Sequence, residues 1–164
     1  MEGDAMNGSV GFNELVGFFE EYADFTSHMA SSETEKVRAL ISNELPRIEH
    51  AISVAQANAM KLENMEQQRI KLQERAGCGG KSFSEIIENA PDEEKERLRV
   101  LFLRIQGSVE DIKQRNEKSV DIASANMRRL NIELEPRSTD TTPASAYMRV
   151  KENKGSGPML ETKV

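Results

Sequence analysis

The chain has 164 residues, a net charge of −6 and charged side chains at 30% of its positions, whereas aromatic residues make up 5%. The acidic balance argues against nucleic-acid binding, because phosphate contacts need a basic surface. No apolar run is long enough to span a membrane, no secretory signal is visible, and the single cysteine, Cys78, cannot form an internal disulfide. We therefore expect one cytoplasmic, elongated helical domain with narrow apolar stripes.

The first predicted helix covers residues 12–42 and follows a flexible N-terminal segment, residues 1–11. Its apolar residues recur at steps of three and four, which is the spacing of one helical face. Ser32 and Glu35 are spaced as a capping box, which could restart the helix and kink it near residue 31. The apolar face comprises Phe12, Leu15, Phe19, Tyr22, Met29, Val37, Leu40 and Ile41.

The second predicted helix begins near residue 44 and ends at Gly77. Pro46 lacks the amide hydrogen that a helix interior needs, so we place it in the first turn, with Ser42 or Asn43 as the N-cap. The apolar face is close to heptad spacing and has small residues at its middle, which permits close helix packing. It comprises Leu45, Ile48, Ile52, Ala55, Ala59, Leu62, Met65, Arg69 and Leu72.

The loop at residues 77–82 ends in Gly-Lys-Ser, like a phosphate-binding loop. However, Arg75 replaces the first glycine of that motif, and helix-forming residues precede the loop where the motif requires a buried strand. We interpret the segment as a left-handed helix cap at Gly77 and a glycine-rich connection. No histidine is placed to activate Cys78 and no Cys/His pair has zinc-ligand spacing, so no cofactor or metal is expected.

Two more helices are predicted after the loop. Residues 82–87 indicate one or two capped helical turns, and a long helix starts at Pro91 or Asp92 and stops at Pro136. The apolar face of the long helix repeats about every 3.6 residues and therefore stays on one side. It comprises Leu98, Leu101, Ile105, Val109, Ile112, Asn116, Val120, Ala123, Met127, Leu130 and Leu134.

The C-terminal tail, residues 137–164, is rich in Ser, Thr, Pro and Gly and has only isolated apolar residues. Such a composition does not bury enough surface to offset the entropy of ordering, so we predict a mobile, disordered tail. The sequence thus predicts an all-α fold, an elongated antiparallel bundle of three main helices with a short extra helix, within residues 12–136. Apolar faces in so thin a bundle stay partly exposed, which is typical of a partner site.

The order of these features resembles the FlgN family of flagellar export chaperones. The resemblance covers residues 12–164 and consists of helical patterns, a glycine-containing loop and a tail with one tyrosine. The matching segments are 36–40 (Lys-Val-Arg-Ala-Leu), 66–69 (Glu-Gln-Gln-Arg), 84–87 (Ser-Glu-Ile-Ile), Asn116, Tyr147 and 159–161 (Met-Leu-Glu).

The resemblance implies a cytoplasmic protein without enzymatic activity that holds the C-terminal helices of the hook–filament junction proteins FlgK and FlgL and presents them to the export gate. An apolar stripe without a full set of bundle partners can accept such a helix in a groove. Tyr147, an aromatic residue with a polar tip, is the candidate contact to the export gate. We place the client-binding face at Val120, Ala123, Met127, Leu130 and Leu134, which could equally be plain core. Ile112 is a marginal member, because before Asn116 the stripe is better explained as plain core.

Three other functions stay open at this point. The chain could be a structural helical bundle that only oligomerises, a chaperone for the filament or cap protein, or a nucleotide hydrolase that uses Lys81 and Ser82. A structural coiled coil should keep strict heptads over its whole length. The 3.6-residue spacing of the last helix and the polar tail therefore favour the export chaperone.

Overall fold

The computed structural model describes the backbone of residues 3–129 and the side chains of residues 11–129. Within this range the chain is helical apart from short connections, and the predicted all-α bundle with a short extra helix is confirmed. The predicted helix end at Pro136 and the tail lie outside the described residues. The helices are α1 (Gly3–Ser42), α2 (Leu45–Arg75), α3 (Phe83–Asn89) and α4 (Asp92–Arg129).

Helix α1 is central, because α2 and α4 both pack against it. The tight turn between α1 and α2 makes these two helices antiparallel. Helix α4 runs parallel to α1, since Arg97 near its start pairs with Glu20, whereas Asn126 near its end donates a hydrogen bond to the carbonyl of Leu40. Among the described residues, no Cα atom of α2 lies within 8 Å of a Cα atom of α4. The two outer helices are therefore held by α1 and not by each other.

Helix α1 is continuous through the predicted kink. It begins at Gly3, earlier than the apolar periodicity indicates. The prediction of a capping box at Ser32 and Glu35 is wrong, because the helix continues through both residues. The hydroxyl of Ser32 donates to the carbonyl of His28 over 3.1 Å, one helical turn earlier. A serine inside a helix commonly satisfies its hydroxyl in this way, so it does not restart the helix.

The turn into α2 differs in one detail from the prediction. The N-cap is Glu44, and not Ser42 or Asn43. Asn43 adopts a φ of +55°, which asparagine tolerates better than most residues, while the hydroxyl of Ser42 accepts the amide hydrogen of Glu44 at 3.2 Å. Pro46 lies in the first turn of α2, as predicted. The backbone reverses at Asn43, so the helix can begin only after it.

The end of α2 has the predicted left-handed cap. Gly77 has a φ of +71°, its amide donates to the carbonyl of Glu74, and the amide of Cys78 donates to the carbonyl of Gln73 over 2.7 Å. These two bonds form a Schellman motif. The buried side chain of Gln73 then donates to the carbonyls of Cys78 and Lys81, which holds the loop against the helix.

The densest part of the core lies where α3 meets the bundle. The ring of Phe83 on α3 sits 4.4 Å from the ring centroid of Phe19 on α1 and 5.2 Å from that of Phe102 on α4. Ile86 and the thiol-bearing Cys78 are buried in the same cluster. At the other end of the bundle, near the α1–α2 turn, Ile41 and Leu45 are exposed. Large apolar side chains therefore remain exposed at the end of the bundle near this turn.

Candidate functional site

A groove floored by α1 runs between α2 and α4, because these helices pack on α1 without approaching each other. Two sets of contacts show which faces of α2 and α4 point into this groove. On the α2 wall, the hydroxyl of Tyr22 donates a hydrogen bond to Glu66. On the α4 wall, Phe83 fills the space between Phe19 and Phe102. Helix α3 therefore occupies one end of the groove.

The other side chains along the groove follow from the seven-residue repeat of packed helices. Counting from Phe19 assigns Thr26, Glu33 and Leu40 to the floor. Counting back from Glu66 assigns Ala59, Ile52 and Leu45 to the α2 wall. Counting from Phe102 assigns Val109, Asn116 and Ala123 to the α4 wall, with Val120 and Met127 at its edge.

A layer of polar residues crosses the bundle near its middle. Glu33 is only 3% exposed and pairs with Lys36, whose Nζ lies 2.5 Å from Glu33 Oε2 and donates to Asn116 Oδ1 at 3.3 Å. Ser119 is buried in the same region of α4. We call Glu33, Lys36, Asn116 and Ser119 the polar layer. It separates the aromatic core from the end of the groove near the α1–α2 turn.

Beyond the polar layer the groove is apolar and, in the described part of the chain, no helix covers it. We call its lining residues the distal groove. Leu45 is 64% exposed and Val120 is 49% exposed, and the other members are partly buried. A large apolar side chain left half in water is a common mark of a binding surface. The distal groove comprises Leu40, Leu45, Ile52, Val120, Ala123 and Met127.

The predicted client-binding residues fall into three groups. Ile112 is partly buried and packs against the core. Val120 is 49% exposed, Ala123 and Met127 are partly buried, and the seven-residue repeat assigns all three to the distal groove. The last group lies outside the described residues and comprises Leu130, Leu134 and the candidate gate contact Tyr147.

The sequence analysis treated the α4 stripe as one face, whereas the structure divides it. Ser119 is buried and Asn126 bonds to the carbonyl of Leu40, so α4 faces α1 through Ile112, Ser119 and Asn126 at steps of seven. Val120 consequently leaves the interface. Sequence reasoning overlooked Ser119 and Asn126 because they are polar, although their heptad spacing from Ile112 was a usable signal.

The Gly-Lys-Ser segment has a structural role in the described chain. The hydroxyl of Ser82 accepts the amide hydrogen of Glu85 at 3.3 Å, and the carboxylate of Glu85 accepts the amide hydrogen of Ser82 at 2.7 Å. This capping box starts α3, and the backbone hydrogen bond from Ser82 lowers the pKa of Glu85. The segment follows a helix and not a strand, so it lacks the setting of a phosphate-binding loop.

Similarity to known proteins is found at the level of a protein family. No described helix has both the length and the apolar character needed to cross a bilayer. None of the curated proteins and none of the solved structures compared with the chain matches it significantly. The FlgN protein family, in contrast, matches residues 6–154, which is nearly the whole chain. This protein therefore belongs to the FlgN family of flagellar export chaperones.

Proposed function

We propose that this chaperone binds the C-terminal helices of the hook–filament junction proteins FlgK and FlgL in the cytoplasm and prevents their premature assembly before export. The client helix lies in the distal groove. Its apolar face covers side chains that the chaperone alone leaves in contact with water. Junction proteins with covered terminal helices are unable to polymerise, so the complex stays soluble until it reaches the export gate.

The observation that carries the proposal is that α2 and α4 both pack on α1 while, in the described residues, no Cα atom of one lies within 8 Å of a Cα atom of the other. The short helix α3 already fills the opposite end of the same groove with the side chains of Phe83, Ile86 and Ile87. The space beyond the polar layer offers the same kind of surface, two helical walls and an α1 floor. An amphipathic helix is the element that such a groove accommodates. Met127 at the groove edge adds a flexible side chain that adapts to different clients.

Titration calorimetry tests the proposal directly. The full chain is titrated with the C-terminal segments of FlgK and FlgL, and separately with the filament and cap proteins. We expect micromolar or tighter binding to the junction segments alone. A preference for the filament or cap protein would assign the chaperone to another flagellar client. No heat with any of the four proteins would leave a structural, oligomerising bundle as the better description.

A matched pair of variants locates the site. Val120→Asp places a charge in the distal groove and should weaken binding by a factor of ten or more, since a carboxylate is costly to cover with apolar surface. Val100→Asp makes the same change at a residue that is 56% exposed on the same helix, roughly 30 Å away at about 1.5 Å per residue. This control should bind normally. Circular dichroism shows whether both variants keep their helicity.

The proposed gate contact is tested separately. Tyr147→Ala should bind the junction segments with unchanged affinity, because Tyr147 is not part of the groove. Secretion of FlgK and FlgL into the medium should nevertheless fall. Normal secretion by the Tyr147→Ala strain would remove this residue from the proposal and leave the groove assignment intact.

A further inference from the structure

We infer that the bundle opens in two stages and that the polar layer is the boundary between them. The part beyond the layer, residues 37–53 and 120–129, unfolds locally while the part around α3 stays folded. We call these residues the turn end, because they surround the α1–α2 turn. The inference concerns the free chain and does not depend on the identity of its client.

The main apolar core lies on the α3 side of the polar layer. Its buried members nearest to the layer are Met29 on α1 and Val109 on α4, and both precede the layer residues of their helices. In the turn end, Val37 and Ala39 are buried, but neither belongs to this core cluster. A region with few buried apolar side chains opens at a lower free energy than a well-packed core.

Helix α2 shows the same division along its own length. Its buried side chains are Met65 and Gln73, both in its second half. Residues 45–64 of this helix are exposed or partly buried. A helix gains most of its stability in a protein from the packing of one face, so the first half of α2 is held less firmly than the second.

The register of the α1–α2 hairpin shows where the polar layer meets α2. The hydroxyl of Tyr22 donates to Glu66, and the two helices are antiparallel. Counting the same number of residues forward from Tyr22 and back from Glu66 places Glu33 opposite Ala55. Residues 45–53 of α2 therefore belong to the turn end.

The polar layer interrupts the apolar packing between the two parts. Glu33 and Lys36 form an ion pair with little access to water, and such a pair adds little net stability because both groups lose their hydration. Lys36 also donates to Asn116, so polar contacts replace apolar packing at this level of the bundle. Opening of the turn end consequently leaves the core around α3 intact.

Opening of the turn end changes the surface that a partner meets. Val37 is 8% exposed in the closed bundle and becomes accessible in the opened one. A partner that binds the opened state better than the closed state shifts the population toward it. The turn end thus provides apolar surface beyond that of the closed distal groove.

Native-state hydrogen exchange of the full chain tests the inference. Each amide rate is divided into the rate of an unfolded peptide of the same sequence, which gives a protection factor. We expect the protection factors of residues 49–53 to be about a hundredfold lower than those of residues 66–73, with a step near Ala55. Equal protection of the two segments would overturn the inference, and so would a gradual decline along α2 without a step.

Low concentrations of urea distinguish local opening from global unfolding. Local opening exposes little surface, so the protection of residues 49–53 should hardly change up to about 1 M urea. The protection of residues 66–73 should fall, because these amides exchange only when the whole bundle unfolds. Parallel slopes for the two segments would contradict a separate opening of the turn end.

A matched pair of conservative variants completes the test. Ile105→Val shortens a side chain that is 5% exposed in the core and should lower the protection of residues 66–73 by about fivefold, with residues 49–53 unchanged. Val37→Ala should lower the protection of both segments, because global unfolding includes opening of the turn end. An Ile105→Val variant that lowers both segments equally would show that the bundle opens as a single unit.

Discussion

Tyr22 and Glu66 join α1 to α2 at the inner side of the groove. The hydroxyl of Tyr22 donates a hydrogen bond to Glu66 Oε1 over 2.8 Å, and the Tyr22 side chain is fully buried. Arg69 holds the second oxygen of the same carboxylate, with 3.0 Å between Nη2 and Oε2. Burial, and to a smaller extent the negative charge of Glu66, raises the pKa of Tyr22 far above its ordinary value of 10.0. The phenol therefore stays protonated in the folded chain.

Tyr22→Phe should lower the free energy of unfolding by about 1.5 kcal/mol at neutral pH, because Glu66 loses a donor. A raised pKa in the folded state stabilises the protein fully below the pKa of the unfolded chain, near 10. Above that pH the unfolded chain loses the proton first, so this contribution declines as pH rises. Urea unfolding from pH 7 to 11 should show the difference between wild type and Tyr22→Phe shrinking above pH 10. A constant difference would contradict the assignment.

Gly77 and Gly107 should respond oppositely to alanine. A Cβ added at either position meets no atom within 4 Å, so backbone conformation decides the outcome. Gly77 has a φ of +71°, and Gly77→Ala should cost about 1 kcal/mol. Gly107 lies inside α4, and Gly107→Ala should add up to about 1 kcal/mol. Thermal unfolding of the two variants measures both signs. Equal shifts in one direction would show that the backbone is not the cause.

Ser82 should affect stability and not nucleotide binding. Ser82→Ala removes the N-cap of α3 and should cost about 1 kcal/mol in a urea unfolding experiment. Ser84→Ala is the control, since Ser84 is exposed within the same helix. Titration of the wild type with labelled ATP and Mg²⁺ should show no saturable binding. A saturable curve that is lost in Lys81→Ala would instead establish a nucleotide site at this loop.

The ion pair in the polar layer should be costly to break from one side. Lys36→Met leaves the Glu33 carboxylate buried without this ammonium group and should cost about 3 kcal/mol. The double variant Glu33→Gln and Lys36→Met should recover part of that loss, because the buried charge is then absent. Urea unfolding of the single and double variants measures the coupling. Additive losses would show that the two side chains act independently of each other.

Much of the fold could be predicted from local chemistry. Pro46 was placed in the first turn of α2 and Gly77 at its left-handed cap, because each residue restricts the backbone by its own covalent structure. The capping box at Ser82 was likewise recognisable from its spacing. The pair Ser32 and Glu35 has the same spacing, yet it lies inside α1. Packing along both sides of that helix outweighs a local signal worth about 1 kcal/mol.

The sequence by itself determined the helices, their main boundaries and the family, since these depend on short-range periodicity, caps and turns. Only the tertiary structure decided which rows of side chains face each other. An isolated helix repeats every 3.6 residues and packed helices every 3.5, so the two faces diverge by about 20° every seven residues. That drift turns Val120 out of the α4–α1 interface and Ser119 into it. The positions of α2 and α4 on α1 likewise decide that Leu45 and Ile52 belong to the α2 wall of the distal groove.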